Sequence, residues 1–250
     1  MLENIVHNGI YNTFHNSSFH PIFLASKITS IILGAVISVY AYKMYKTIQS
    51  NVLLGITLSF GLMSFTDVFI ILILPTINNL VLFNLFFWLR LVTISFAFAF
   101  LALTYFTSSR EERRSNITLK IAALSTIPIS LTILLTWFFN NSSLPAITDY
   151  TQYFRIFNIG ALIYVIAMSS KNTTFNLRKE FSYIPLVFGI FLIGQVSLLL
   201  FSLQGSISSV ITSFLVKDIG LVIFAKIIYD HSGKRKQNLK ELKPPYEGER

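Results

Sequence analysis

Seven predominantly apolar stretches, each about twenty residues long, leave this chain of 250 residues few possible folds. They run Ile22–Tyr45, Val52–Leu74, Leu80–Thr107, Ile117–Phe139, Gln152–Ser170, Phe181–Leu203 and Ile207–Asp230. An α-helix rises about 1.5 Å per residue, so about 20 residues cross the roughly 30 Å hydrocarbon core of a bilayer. A membrane β-barrel needs segments of about 10 residues with alternating polarity, and none is present. Composition agrees. The chain is 53% hydrophobic and 12% charged, with a mean hydropathy of +0.64. A soluble domain of this length cannot hide so much apolar surface, which excludes soluble globular, disordered and fibrous classes. The sequence predicts an all-α integral membrane protein, a seven-transmembrane-helix bundle.

Basic residues set its expected orientation. After the first, third, fifth and seventh spans stand Lys43 and Lys46; Arg110, Arg113, Arg114 and Lys120; Lys171, Arg178 and Lys179; and a run from Lys234 to Arg250. The opposite segments, 1–20, 75–79, 140–151 and 204–206, hold no Lys or Arg. Cytoplasmic loops carry the excess of basic residues, so the N-terminus is expected outside and the C-terminus in the cytoplasm of a cell membrane. The same asymmetry explains the net charge of +9. Basic anchors face anionic lipid, and no nucleic-acid partner is needed. Residues 1–20 read as an outer N-terminal segment and 21–230 as the membrane domain. Residues 231–250, with Pro244 and Pro245, read as a disordered basic tail. No Lys or Arg precedes the first span, so it does not resemble a cleaved signal. With no cysteine, disulfides, thiolate metal sites and a cysteine nucleophile are excluded.

Ionisable side chains within the spans mark function or pairing, because burying a charge in hydrocarbon is costly. Arg90 and Lys217 each lie roughly 15 Å below the outer end of their spans, and Asp218 is one residue deeper. Asp67 lies roughly 12 Å and Gln195 roughly 13 Å from that side. Asp67, Arg90, Gln195, Lys217 and Asp218 therefore share one depth on four helices, and their formal charges cancel. They form the candidate ligand-binding or charge cluster, with an Asp67–Arg90 pair as one arrangement. Ion pairs of this kind can also serve only to hold a bundle together. Lys27 and Arg155 lie nearer the outer end and Lys226 nearer the inner, where long side chains snorkel to the headgroups.

Small residues recur every fourth position: Ser26, Ser30, Gly34 and Ser38 in the first span, and Gly205, Ser209 and Ser213 before Lys217 in the seventh. Such faces let helices approach closely, so Lys217 is expected to face other helices. Ser64 and Asp67 share a face of the second span. Pro128 and Pro185 are expected to kink the fourth and sixth spans. Phe83, Phe86, Phe87 and Trp88 surround Arg90 and would either face lipid or line an apolar pocket. His7, His15 and His20 lack tight metal-ligand spacing, and no metal is expected. Asn16, Asn140 and Asn141 stand in glycosylation sequons, which matter only in a glycosylating cell. Hydrolase, metalloprotease and phosphate-loop signatures are missing, so no catalytic residue is assigned and an enzyme is not expected.

Two resemblances follow. Gly55 to Phe65, together with Trp88-Leu-Arg-Leu through Phe100-Leu-Ala-Leu-Thr-Tyr105 before a basic loop, is similar to the seven-helix membrane input regions of archaeal and bacterial sensor proteins. That likeness implies a sensory module that passes its signal to a separate cytoplasmic or membrane partner. More weakly, the chain resembles the microbial rhodopsins. Lys217 falls mid-way in the last span, Arg90 in the third, and Phe181-Ser-Tyr-Ile-Pro-Leu-Val-Phe188 keeps a proline and aromatics in the sixth. This second likeness implies retinal on Lys217, with Ser213 and Thr93 where that family usually has acids. The leading expectation is a non-enzymatic sensory or receptor-like protein without a cofactor. A retinal protein is the alternative, and a transporter, channel or accessory subunit is a further one.

Overall fold

A computed structural model describes residues 20–73, 80–108, 147–173, 183–204 and 207–241. These residues form six helices: α1 (His20–Ile48), α2 (Asn51–Ile73), α3 (Leu80–Ser108), α4 (Ile147–Thr173), α5 (Ile184–Gln204) and α6 (Ile207–Glu241). They match six of the seven expected spans to within a few residues at most ends. The stretch Ile117–Phe139, with Pro128, lies outside the described residues. So do the sequons and His7 and His15.

Long runs of Leu, Ile, Val and Phe favour helix here because every backbone polar group must find its partner within the segment in an apolar medium. Five helices are long and apolar enough to span a membrane: Pro21–Ile48, Val52–Ile71, Phe86–Tyr105, Thr151–Ser170 and Ile184–Gln204. The outer face of the bundle is apolar too. Ile28, Ile32, Val36 and Val39 of α1, Ile156, Phe157 and Ile163 of α4, and Leu186, Ile193 and Leu200 of α5 are all exposed. Helices apolar on every side suit lipid rather than water. The chain is a helical, multi-pass membrane protein in contact with a bilayer.

Consecutive helices pack side by side, α3 lies against α4, and α6 returns to α1, closing a ring. A two-residue link joins α1 to α2, which makes them antiparallel neighbours. Gln49 adopts φ 53° there, and its N–H donates to the Tyr45 carbonyl at 2.7 Å, capping α1. The Ser50 carbonyl then accepts from Leu54 N–H at 3.2 Å to begin α2.

Small residues make the close approaches. A Cβ placed on Gly34 would lie 3.1 Å from Ser64 Cβ, and one on Gly55 would lie 2.6 Å from Thr104 Cβ. Ser64 Oγ donates to the Ile31 carbonyl and Ser38 Oγ to the Thr57 carbonyl, each at 2.8 Å. The small face of α1 thus serves α2 along Gly34 and Ser38.

Two expectations are corrected. Pro185 is the second residue of α5, in a first turn where its missing N–H costs nothing, so it starts the helix instead of kinking it. Residues 231–241, expected within a disordered tail, continue α6, since Lys, Arg, Gln and Glu are good helix formers and no proline intervenes before Pro244.

The interior has layers. A large apolar core built around Ile37, Phe60, Leu101, Phe188 and Phe224 fills one end. A small apolar cluster, Phe23, Ile70 and Val210 with Phe214 packed on it, fills the other. Between them, at matching heights on antiparallel helices, lie the buried charges.

Candidate functional site

Asp67 is the centre of the charged layer. It projects from α2, almost wholly buried, and takes two ammonium groups. Lys217 of α6 donates to Oδ2, and Lys27 of α1 lies 3.4 Å from Oδ1. One carboxylate therefore joins three helices. Among the described residues these are the only ion pairs, and the expected Asp67–Arg90 pair is not one of them.

Lys27 does not snorkel. Its side chain is 1% exposed. Its ammonium sits 4.0 Å from the centre of the Phe214 ring and 5.5 Å from that of Phe23, which themselves meet edge-to-face. The negative ring face of Phe214 and the Asp67 carboxylate together replace the water that Lys27 loses. Arg155 is buried as well, at 4% exposure, and its Nη1 donates to Gln195 Oε1 at 3.5 Å. The expectation that Lys27 and Arg155 reach the headgroups is therefore overturned: each finds an acceptor inside the bundle. Lys226 is exposed on α6.

Asp218 faces differently from its neighbour Lys217, since successive helical residues point about 100° apart. Ser26 Oγ donates to Oδ2 at 2.6 Å and Ser30 Oγ to Oδ1 at 2.7 Å, so both carboxylate oxygens are held by α1. The upper half of α1's small face thus serves α6. Ser64 and Asp67 both turn to α1, as their spacing suggests.

Arg90 of α3 is 8% exposed, and its Nε has no hydrogen-bond partner. The guanidinium lies 5.8 Å from the Phe87 ring centre. Trp88 packs edge-to-face on Phe154, and Phe86 stacks on Phe69. Arg90 also lines a cavity of about 20 Å³ together with Lys27, Lys217, Gln195, Ser213 and Phe214. Phe86, Phe87 and Trp88 do not line it, whereas Phe98, Phe191 and Phe214 do.

The five residues expected at one depth therefore divide. Arg90, Gln195 and Lys217 meet around the cavity, Asp67 pairs two of its lysines, and Asp218 belongs to the α1–α6 contact. Sequence reasoning missed Lys27, Arg155 and the serines that hold Asp218. It also missed Asn158, which is fully buried and whose side-chain N and O have no hydrogen-bond partner. Arg155 and Asn158 are three residues apart on one helix face, a spacing that could have flagged an inward-facing polar edge. With Lys27 and Arg155 inside, the layer is not neutral. Four cations stand near two carboxylates.

A volume of about 20 Å³ admits a guest the size of one water. The Lys217 ammonium is held by Asp67. No group of three or more His, Cys, Asp or Glu side chains among the described residues could hold a metal ion. No protein-family model, curated protein or solved structure matches the chain.

Proposed function

We propose that this protein is a non-enzymatic, receptor-like membrane module in which the shared carboxylate of Asp67 is the switch. One observation carries the reading: Asp67 lies between Lys27 on α1 and Lys217 on α6, beside a small cavity that both lysines line. Each lysine engages a different oxygen of the Asp67 carboxylate, so either pair could be broken while the other remains. A ligand that engages Lys217 or Lys27 weakens one pair and lets the other strengthen, and the helices that carry them shift. The basic segments expected on the cytoplasmic side would report that shift to a separate partner. The distribution of basic residues supports a site in the outer half of a cell-membrane protein. The layered interior, with an apolar core on one side of the charges and an apolar cluster on the other, favours such a switch over a transport path.

The absence of cysteine makes the test simple. Tyr42→Cys on α1 and Tyr229→Cys on α6 carry spin labels at exposed positions. Distances between them are measured by pulsed electron resonance with the site intact, with Asp67→Asn and with Lys217→Met. The receptor reading expects the distribution to move when the pair is broken. Identical distributions in all three folded proteins would make the network a scaffold and end the proposal.

A further inference from the structure

The cavity walls carry more positive charge than the site can neutralise. Lys27, Arg90 and Lys217 all line it, and no carboxylate does. Asp67, in contact with both lysines, offsets one charge of the three. Asp218, held by the neutral hydroxyls of Ser26 and Ser30, keeps its charge and offsets a second cation from the α1–α6 contact. Arg155 adds a fourth cation just behind Gln195.

The remaining sequence brings little relief. Ile117–Phe139 contains no acid, and in sequence Glu111 and Glu112 follow α3 and Glu180 precedes α5. Only Glu3 and Asp149 lie toward the charged layer in sequence, and Asp149 precedes Arg155 by six residues, roughly 9 Å along α4. Buried charge without a counter-charge is strongly unfavourable, so a site built this way calls for a negative guest.

The donors suit one. Arg90 Nε is buried and without a hydrogen-bond partner. Arg155 occupies the carbonyl oxygen of Gln195, so Gln195 has its amide N–H groups left to offer. Ser213 adds a hydroxyl, and each lysine has ammonium protons beyond the one given to Asp67. Size favours a small guest, and a cavity of about 20 Å³ on the scale of one water suits a monatomic ion.

We propose that the cavity between Arg90, Lys27, Lys217, Gln195 and Ser213 binds a single halide ion of the chloride class. The inference deepens the receptor reading, on which it rests only in making the ion a signal; binding stands on the charge balance, the donors and the cavity. An ion seated here competes with Asp67 for both lysines, which supplies the differential interaction the switch requires.

Thermal unfolding of the purified full chain in detergent tests it, with sodium chloride or sodium bromide titrated against sodium gluconate at constant ionic strength. A ligand that binds only the folded protein raises the midpoint with concentration, and both halides should do so saturably while gluconate does not. Ser213→Ala, which removes one neutral donor, should weaken the halide effect up to about tenfold. Arg90→Gln should abolish it, and Lys226→Gln, far from the cavity, should leave it intact. Chlorine-35 line broadening displaced by bromide reads binding in the wild type, so the test survives if Arg90→Gln fails to fold.

Superimposable titrations in chloride and gluconate, without line broadening, would overturn the inference and mean that a lysine sheds its proton instead. A halide effect unchanged in Ser213→Ala and Arg90→Gln would overturn it by placing the ion elsewhere. Halide binding that leaves the Tyr42→Cys/Tyr229→Cys distance unchanged would overturn the receptor role of the ion while the binding site stands.

Discussion

Lys27 and Asp67 meet across the α1–α2 interface at 3.4 Å, with side chains 1% and 3% exposed. A buried pair of this kind gains little over an apolar pair of the same shape, because both ions give up water. Breaking it is another matter, since the partner left behind keeps its charge and loses its compensation. Asp67 also takes Lys217, so its loss strands two ammonium groups at once.

Asp67→Asn should therefore destabilise the folded protein by about 3–5 kcal/mol or more, the typical cost of unpairing a buried charge. Lys27→Met should rescue much of that loss in the double variant, and Lys217→Met less, because the Lys217 side chain is 18% exposed and has access to other solvation. A double-mutant cycle on denaturation midpoints measures both couplings. Additive losses would contradict the geometry.

An amine-reactive reagent should separate buried from exposed lysines. Lys43 and Lys46 are exposed on α1, whereas Lys27 is enclosed by Asp67, Phe214 and Phe23. Peptide mass spectrometry after brief labelling of the native protein should find Lys43 and Lys46 modified and Lys27 spared until unfolding. Equal labelling would mean that Lys27 reaches the headgroup region after all.

The two serines holding Asp218 each serve a different oxygen. Hydrogen bonds to a charged group are worth about 1.5–3 kcal/mol. Ser26→Ala and Ser30→Ala should each cost about that much, and together at least the sum, because the double variant leaves the carboxylate without either hydroxyl. Ser202→Ala offers the comparison, since its hydroxyl bonds only a carbonyl of its own helix and its loss should cost well under about 1 kcal/mol. Chemical denaturation in detergent gives the values.

Helix packing offers a test independent of charge. A methyl at Gly55 would meet Thr104 Cβ at 2.6 Å, whereas one at Gly160 meets nothing within 4 Å. Gly55→Ala should cost about 1–3 kcal/mol through overpacking of α2 on α3. Gly160→Ala should be neutral or stabilising by up to about 1 kcal/mol from helix propensity. Thermal midpoints of the two variants decide.

The hydropathy of the chain alone determined that it is a multi-pass helical protein, and it placed the ends of most described helices. It also determined the depth of each charge, because the helical rise makes distance along the axis a matter of counting. Rotation about each axis was another matter. These helices are apolar over most of their surface, so only sparse cues, such as the small face of α1 or the Arg155–Asn158 spacing, indicate which face points inward. Asp67 was equally compatible with Arg90, Lys27 or Lys217, and only the packing of α2 against α1 and α6 chose the lysines. Lys27 and Arg155 lie near helix ends, where a long side chain can turn outward or inward, and sequence distance cannot distinguish the two. Tertiary structure turned both inward, because Asp67 and Gln195 offered acceptors there. That rotation changed the charge balance of the site from neutral to cationic, and with it the kind of ligand the site can hold.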